Sequence, residues 1–392
     1  MIKNLTIVTQ YFPPENGAAA ERMKSFAAFF GSRCDLEVIT SIPRHMMTDG
    51  NKTVSVEQFK ITYVYGGKLA SNTKKVNRLL NEVTFALRTI KILFSRAKGT
   101  PFLYTTPSPF LAIVALLFKK LKGQQFILDI RDLYPEVIAD SGILSKSNPV
   151  YKIAQFAMKL AYENASILTY VNSQWSPQMN SVNPNAIFLP NGISAMKEGD
   201  ISRDLTRRED LVIYSGNYGR MYDFDPILEL AKRFQNHPQS RLARVKFLLI
   251  GDGIQSAYIK REVEKRELNN LEMIGPFSQK EVRSILHRGK VGLVSLNLEA
   301  DSLKGAVPNK LFDYLETGLK TIALMPDDLS SEILSTGLIT VHTEIDYDAL
   351  VKELGDSILN YEYKKITMEE YPFLYRNHHL EKLLTEINAS MS

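Results

Sequence analysis

The sequence predicts an α/β protein made of two Rossmann-like domains, each a parallel sheet covered by helices. Three observations lead there. The chain has 392 residues, about twice a typical domain. Short apolar runs alternate with helical patterns along its whole length, the signature of repeated βαβ units. A charged stretch without apolar periodicity separates two such series.

In the first series, strands are expected at Leu5 to Gln10, Asp35 to Thr40, Ile61 to Tyr65, Pro101 to Thr106, Gln125 to Ile130 and Ser166 to Val171. Ala18 to Phe30, Asn77 to Lys98 and Pro149 to Glu163 carry apolar residues at three- and four-residue spacing and are expected to be amphipathic helices. The polar run AMKEGDISRDLTRRED is expected to be a linker. A second series follows. Its expected strands are Asp210 to Gly216, Val245 to Gly253, Leu271 to Gly275, Val291 to Leu296 and Thr321 to Met325. Its expected helices lie around Ile227 to Phe234, Tyr258 to Arg266, Gln279 to His287 and Lys310 to Glu316. This division gives a first domain at 1–194, a linker at 195–209, a second domain at 210–372, and a last helix at 373–392 packing back on the first domain.

Composition narrows the function classes. A hydrophobic fraction of 44% with 23% charged residues describes a globular chain, not a disordered or fibrous one. The single cysteine, Cys34, permits no intramolecular disulfide and no cysteine zinc cage, and points to a reducing, cytoplasmic address. The start MIKNLTIVTQYFPP lacks the layout of a signal peptide, so no export is expected. The longest apolar run, Phe110 to Phe118, is far below the roughly 20 residues of a spanning helix. Nucleic-acid binding finds little support in a net charge of only +5 without an aromatic-interleaved motif.

In doubly wound sheets, ligands bind beyond the carboxyl ends of the strands, so the loops after strands carry the chemical reading. Gly17, with Ala18 to Ala20, opens a helix after the first strand and leaves N–H groups for an anion. SGNYGR offers Gly216, Asn217 and Arg220, a fork-shaped cation suited to a diphosphate. Gly251, Asp252 and Gly253 close another strand, where missing side chains admit a flat ligand. GDGIQS lacks the third glycine of the dinucleotide fingerprint, which argues against a nicotinamide oxidoreductase. In VPNKLFDYLETG, Asn309, Lys310 and Leu311 open a helix, with Asp313 one turn beyond Lys310. Taken alone, the Lys310 and Asp313 pair reads as a surface ion pair.

The order of these motifs resembles family 4 glycosyltransferases of the GT-B fold. YFPPENGAAAERMKSFAAFF is similar to that family's opening glycine loop, and LPNGIS to the P-N-G end of its first domain. DIRDLYPEVIADSGIL looks like the DLWPE segment of a bacterial surface-polysaccharide subgroup. The resemblance implies two domains facing across a cleft. It also implies a retaining, metal-independent transfer from a nucleotide-diphosphate sugar, with UDP as the family's usual carrier. On this resemblance Arg220 holds the diphosphate, Gly251 to Gly253 lie beside the nucleotide, and Ile274 to Phe277 hold the base. Asp313 stands where the second glutamate of the family's E-x7-E motif binds ribose.

Two positions depart from the family pattern. Gly305 stands where the first glutamate would meet the donor sugar, and Asp225 where a lysine five residues beyond the diphosphate arginine is usual. Lys310 is expected to replace that lysine, and sugar recognition to differ from the usual pattern. With no metal, the departing diphosphate needs cations and helix N-termini, which Arg220, Lys310 and the Gly17 loop supply. Asp223 and Asp225, like Asp346 and Asp348, spell D-x-D, but they fall near helix starts where capping is expected. No metal or other cofactor is expected.

Candidates for catalysis or acceptor contact are Asp132 and Glu136, then His45, all in loops after first-domain strands. Asp132 has a competing role as a helix cap, and Arg131 with Glu136 as an ion pair. His378 and His379 read as surface residues of the last helix. Basic residues bunch between Asn72 and Lys122. There Leu79, Leu80, Val83, Leu87, Ile90 and Leu93 share one side of a helix ringed by Arg78, Arg88, Lys91 and Arg96, which fits a core helix or an interfacial one. In the subgroup resembled, the acceptor is a polyprenyl-diphosphate-linked saccharide of O-antigen, capsule or exopolysaccharide, reached from the cytoplasmic face of an anionic inner membrane. The competing classes are a nucleotide-sugar epimerase or hydrolase of the same fold, and a non-catalytic nucleotide-binding protein.

Overall fold

The computed structural model describes residues 2–15, 17–42, 52–56, 58–64, 75–95, 99–106, 108–140, 144–194 and 208–391. His45 and most of the expected linker, 195–207, lie outside the described residues. The chain divides into two units, residues 1–190 with 376–392, and residues 191–375.

The first unit runs β1 (Asn4–Thr9), α1 (Ala18–Gly31), β2 (Asp35–Ser41), β3 (Lys52–Ser55), β4 (Lys60–Val64), α2 (Lys75–Phe94), β5 (Phe102–Thr105), α3 (Pro109–Lys122) and β6 (Phe126–Ile130). It continues through α4 (Glu136–Asp140), α5 (Pro149–Asn164), β7 (Ile167–Tyr170), α6 (Ser176–Val182) and β8 (Ala186–Phe188). The strand order is β3-β4-β2-β1-β5-β6-β7-β8, and only β3 runs antiparallel to its neighbour. Right-handed crossovers assign the helices to faces. From β1 the chain moves one way to β2, placing α1 on one face; from β4 onward it moves the other way, placing α2, α3, α5 and α6 opposite. The two cores follow this division, with Phe26 and Phe30 of α1 in one and Phe85, Phe118 and Met158 in the other.

The second unit runs β9 (Leu211–Ser215), α7 (Asp225–Gln235), β10 (Lys246–Ile250), α8 (Ser256–Lys265), β11 (Leu271–Ile274), α9 (Gln279–Leu286) and β12 (Val291–Ser295). Then come α10 (Asn309–Thr317), β13 (Lys320–Leu324), α11 (Ser331–Leu334), β14 (Ile339–His342) and α12 (Tyr347–Leu359). All six strands are parallel, in the order β11-β10-β9-β12-β13-β14. The final helix, α13 (Arg376–Ser390), belongs to the first unit and packs beside α1, where Arg376 donates to the Glu21 carbonyl and to Ser25 Oγ.

The two α/β units with parallel sheets agree with the expected fold class. Local readings needed correction where burial overrode pattern. Phe110 to Phe118, too apolar to show a helical stripe, is most of α3, begun by Pro109 and closed by Gly123 at φ 66°. Leu93 faces the core but Leu80 and Leu87 are exposed, so the apolar side read on α2 is split between two faces. His379 is 9% exposed and is not a surface residue. The charged stretch is anchored before its expected end. Arg208 is buried, donates to the carbonyls of Gly289 and Thr317, and lies between the rings of Tyr361 and Tyr363.

Candidate functional site

In the second sheet β9 leads outward through β10 to β11, while β12 starts the opposite direction. The switch point therefore lies between β9 and β12, the place where open α/β sheets bind ligands. Helix α10 spans it. Tyr314 Oη accepts the Ser215 amide at the end of β9 at 2.8 Å and donates to the Leu293 carbonyl of β12 at 3.3 Å. Gly292 makes room for this ring, since a Cβ there would meet it at 2.5 Å.

Lys310, in the first turn of α10, is only 6% exposed. Its Nζ lies 3.5 Å from the centroid of the Tyr214 ring and 3.9 Å from that of Tyr222, and it has no hydrogen-bond partner. A Cβ on Gly216 would come within 3.3 Å of it, so the amine sits directly under the loop that follows β9. Burial pulls its pKa well below the ordinary lysine value, and the Asp313 carboxylate pulls the other way. The expected surface ion pair is thus replaced by a buried amine in a tyrosine cage. Asp313 is partly exposed one turn later. Arg220 is exposed and makes no ion pair among the described residues.

The glycines after β10 let a neighbouring loop approach closely. A Cβ on Gly251 would lie 2.0 Å from the Gly216 carbonyl oxygen, and one on Gly253 would lie 2.5 Å from Asn217 Oδ1 and 2.6 Å from the Tyr218 carbonyl oxygen. The neighbouring loop takes the space that side chains at these positions would fill. Amides of Gly216, Tyr218 and Gly251 donate to the carbonyls of Ile250, Asp252 and Ile274, lacing the loops after β9, β10 and β11 together. Asp252 accepts from the Gly253 amide and from Ser256 Oγ, which holds its carboxyl below the usual range and ties it to the start of α8. Ile274 is partly exposed and Phe277 is 38% exposed at the end of β11. Asn309 is the first residue of α10, whereas Leu311 is fully buried and can offer only its backbone.

The two departures have structural explanations. Asp225 accepts from Tyr258 Oη at 2.7 Å and from Arg266 at 2.9 Å, so its carboxylate serves the packing of α7 on α8. Gly305 has φ 68°, a left-handed conformation that a glutamate adopts at a cost of about 1–2 kcal/mol. Asp223 accepts the Asp225 amide, and Asp346 accepts the Asp348 and Ala349 amides, so both D-x-D sequences start helices. Among the described residues no group of three or more His, Cys, Asp and Glu side chains is placed to hold a metal ion.

In the first unit the switch point lies between β1 and β5. Gly17 has φ 132° at the start of α1, and a Cβ there would meet nothing within 4 Å. Asp132 follows β6, and its amide and that of Arg131 donate to Thr106 Oγ1 after β5. Glu136 opens α4 and is partly exposed, as is Asp132. Burial pulls the Arg131 guanidinium below its ordinary range; its charged neighbours are Asp132, Arg22 and Asp129. Sequence reading missed the pair beneath these loops. Arg22 and Asp129, both fully buried, bond at 2.7 and 3.0 Å, while Thr105 and Thr169 donate to the same carboxylate. Burial pushes the Asp129 carboxyl up, and Arg22 and Thr169 more than reverse this. Arg22 also donates to the carbonyls of Leu189 and Pro190. The cage rings Tyr214 and Tyr222 were missed too, because only the fold brings them to Lys310.

No family model matches the chain. In sequence it is similar to the Escherichia coli K12 protein named "Putative colanic acid biosynthesis glycosyl transferase WcaI", 23% identical over 261 residues. It is also similar to the "Probable glycosyltransferase WbjE" of Pseudomonas aeruginosa, 22% identical over 260 residues. The matched stretches span 62% of both chains in the first case and 63% of both in the second. Among solved structures, an Escherichia coli trehalose-6-phosphate protein bound with UDP-2-fluoro glucose has a TM-score of 0.66 at 11% identity, covering 99% of this chain and 97% of its own. Sucrose-phosphate synthase of Thermosynechococcus elongatus gives 0.64 at 11%, covering 100% and 95%. WaaG, a glycosyltransferase involved in lipopolysaccharide biosynthesis, gives 0.58 at 13%, covering 91% and 90%. The chain therefore has the fold of the GT-B glycosyltransferases, and in sequence it resembles two bacterial proteins named as glycosyltransferases, one of them of colanic acid biosynthesis.

Proposed function

We propose that the chain is a retaining, metal-independent glycosyltransferase that moves a sugar from a nucleotide-diphosphate sugar, with UDP as carrier, to a lipid-linked saccharide at an anionic membrane surface. One observation carries the reading. At the β9/β12 switch point of the second unit, the unpartnered Lys310 amine lies against rings of β9 and the loop after it, Arg220 is exposed on that same loop, and the Asp313 carboxylate follows one turn along α10. Their chemistry suits a diphosphate flanked by a ribose diol. The diphosphate takes charge from Arg220 and Lys310, and Asp313 accepts from the ribose hydroxyls. As the glycosidic bond to the diphosphate breaks, negative charge grows on the leaving oxygen, and fixed cations lower the barrier most at that moment. The UDP-sugar bound in one fold neighbour supports the choice of carrier. Asp132 and Glu136 are the first unit's candidates for contacts to the acceptor.

The test is transfer itself. Purified protein is incubated with UDP-hexoses and UDP-N-acetylhexosamines and with polyprenyl-diphosphate-linked saccharides, and the lipid product and released UDP are measured. The proposal expects a lengthened lipid-linked glycan with equimolar UDP. Donor breakdown or isomerisation without acceptor would mark a hydrolase or epimerase, and UDP binding without turnover a non-catalytic protein. Either result overturns the reading.

A further inference from the structure

Three polar groups stand unpartnered at the strand ends around the first unit's switch point. Gln10 follows β1, Ser108 follows β5 just before α3, and Arg131 follows β6. Gln10 is 7% exposed and Ser108 1%, yet Gln10 Oε1, Ser108 Oγ and the buried Arg131 Nε have no hydrogen-bond partner. All three surround Thr106. β1 and β5 pair with Val8 beside Tyr104, so Gln10 stands beside Thr106, two residues further along both strands. Ser108 lies two residues beyond Thr106 in the chain, and the Arg131 amide donates to Thr106 Oγ1 at 2.7 Å. The backbone is held in place here, since Ser41 Oγ, at the end of β2, donates to the Gln10 carbonyl at 2.6 Å.

Burying a polar group without a partner is costly, so three at one place call for a missing ligand. Water satisfies an amide oxygen and a hydroxyl, but a buried guanidinium needs an anion. The protein does not supply one: Asp129 is taken up by Arg22, Thr105 and Thr169, and no carboxylate pairs with Arg131 among the described residues. The guanidinium fork matches two phosphate oxygens. Ser108 occupies the N-cap position of α3 without capping it, which leaves its hydroxyl to donate to a third oxygen beside the positive end of a 14-residue helix. Gln10 Oε1 only accepts, so it requires a hydroxyl on the same ligand. Phosphate oxygens with a hydroxyl close by describe a sugar phosphate.

We propose that Gln10, Ser108 and Arg131 form a sugar-phosphate subsite, with Arg131 and Ser108 on the phosphate oxygens and Gln10 on a sugar hydroxyl. The inference rests on the transferase reading above and narrows its acceptor. Because Asp132, a candidate for acceptor contact, adjoins Arg131, the sugar offered for transfer is the one that carries the phosphate. That phosphate belongs to the diphosphate of a lipid-linked saccharide or to a free glycosyl phosphate, which share this chemistry.

Calorimetric titration of the full chain with glucose 1-phosphate and N-acetylglucosamine 1-phosphate tests the subsite without requiring transfer. Wild type should bind at least one of these probes and neither parent sugar. Arg131→Met should weaken binding at least about tenfold, with Arg131→Lys in between, and Ser108→Ala and Gln10→Leu should each weaken it about three- to tenfold. UDP affinity, measured on each variant, should stay at the wild-type value. Ser108→Ala and Gln10→Leu should melt no lower than wild type, because the atoms they remove have no partner. In transfer assays, elongation of the free glycosyl phosphate would assign a soluble acceptor, and elongation of the lipid diphosphate alone a lipid-linked one. Wild type that binds neither probe, or Arg131→Met that binds like wild type, overturns the subsite. A lower melting temperature in Ser108→Ala or Gln10→Leu would assign these groups to structural water and overturn it as well. Probe binding without sugar transfer would instead contradict the proposed function and leave the subsite standing.

Discussion

The Lys310 amine lies against the face of the Tyr214 ring, 3.5 Å from its centroid, and no hydrogen-bond acceptor reaches it. A buried amine of this kind gives up its proton readily, because burial penalises the charged form. A diphosphate reverses the balance by supplying the missing anionic partner. The groups facing the amine are the π-faces of Tyr214 and Tyr222 and, from its own helix, the Asp313 carboxylate.

On the proposed function, Lys310 links donor binding to proton uptake. Its folded pKa is lowered from 10.5, so between that lowered value and 10.5 the unfolded chain holds more protons than the folded one, and stability rises with pH through that window. Diphosphate affinity runs the other way and falls as pH rises. Calorimetry of UDP binding in buffers of different ionisation enthalpy, between pH 6.5 and 9.5, should show proton uptake that Lys310→Met abolishes. Lys310→Met should also weaken UDP binding by about 10- to 100-fold, the loss of one charged hydrogen bond. It should leave folding stability equal or higher, because the polar atom it removes has no partner. Buffer-independent heats in wild type would contradict the linkage.

The three laced loops predict an unequal response to alanine. Gly251→Ala drives a Cβ to 2.0 Å from the Gly216 carbonyl oxygen, and strain adds to the clash because φ is 144°. The expected loss is about 2–5 kcal/mol. Gly337→Ala, at φ 65° with nothing within 4 Å of the new Cβ, should cost only the backbone strain of about 1–2 kcal/mol. Urea denaturation measures both. Equal losses would mean that the close approach of the loops is not what requires glycine at 251.

Much of this was legible in the sequence, for identifiable reasons. Strands buried on both faces need unbroken apolar runs, so FILDI and LVIYS declared themselves. Gly318 stopped α10 where a left-handed residue was needed. Arg220 and Asp313 stand where spacing put them, on the loop after β9 and one turn into α10, because position after a strand or at a helix start is legible without the fold. The environment of Lys310 was not legible. Spacing placed it one turn before Asp313, but its burial depends on rings that lie 96 and 88 residues earlier in the chain, and no local pattern encodes that. The close approach of a neighbouring loop at Gly251 and Gly253 was not legible either, since a glycine that admits a ligand and one that admits a loop look alike in sequence.

The buried pair of Arg22 and Asp129 supports the first unit from below. Asp129→Asn removes the charged partner of a buried guanidinium, and breaking such a pair costs about 3–5 kcal/mol. Because Asp129 is held below its ordinary value of 3.8, its contribution is present above that pH and is lost as pH falls through the lowered value. Denaturant titration at neutral pH should show the loss. A change below about 1 kcal/mol would make the pair dispensable.

The central claim is that the loops at the β9/β12 switch point hold a nucleoside diphosphate. Calorimetric titration of UDP into wild type and Arg220→Ala addresses it most directly, because Arg220 is exposed and its removal should leave the melting temperature unchanged. The account predicts saturable one-to-one binding by wild type and about 10- to 100-fold weaker binding by Arg220→Ala at equal stability. Equal UDP affinity in the two proteins, or no nucleoside diphosphate bound by wild type, would contradict it.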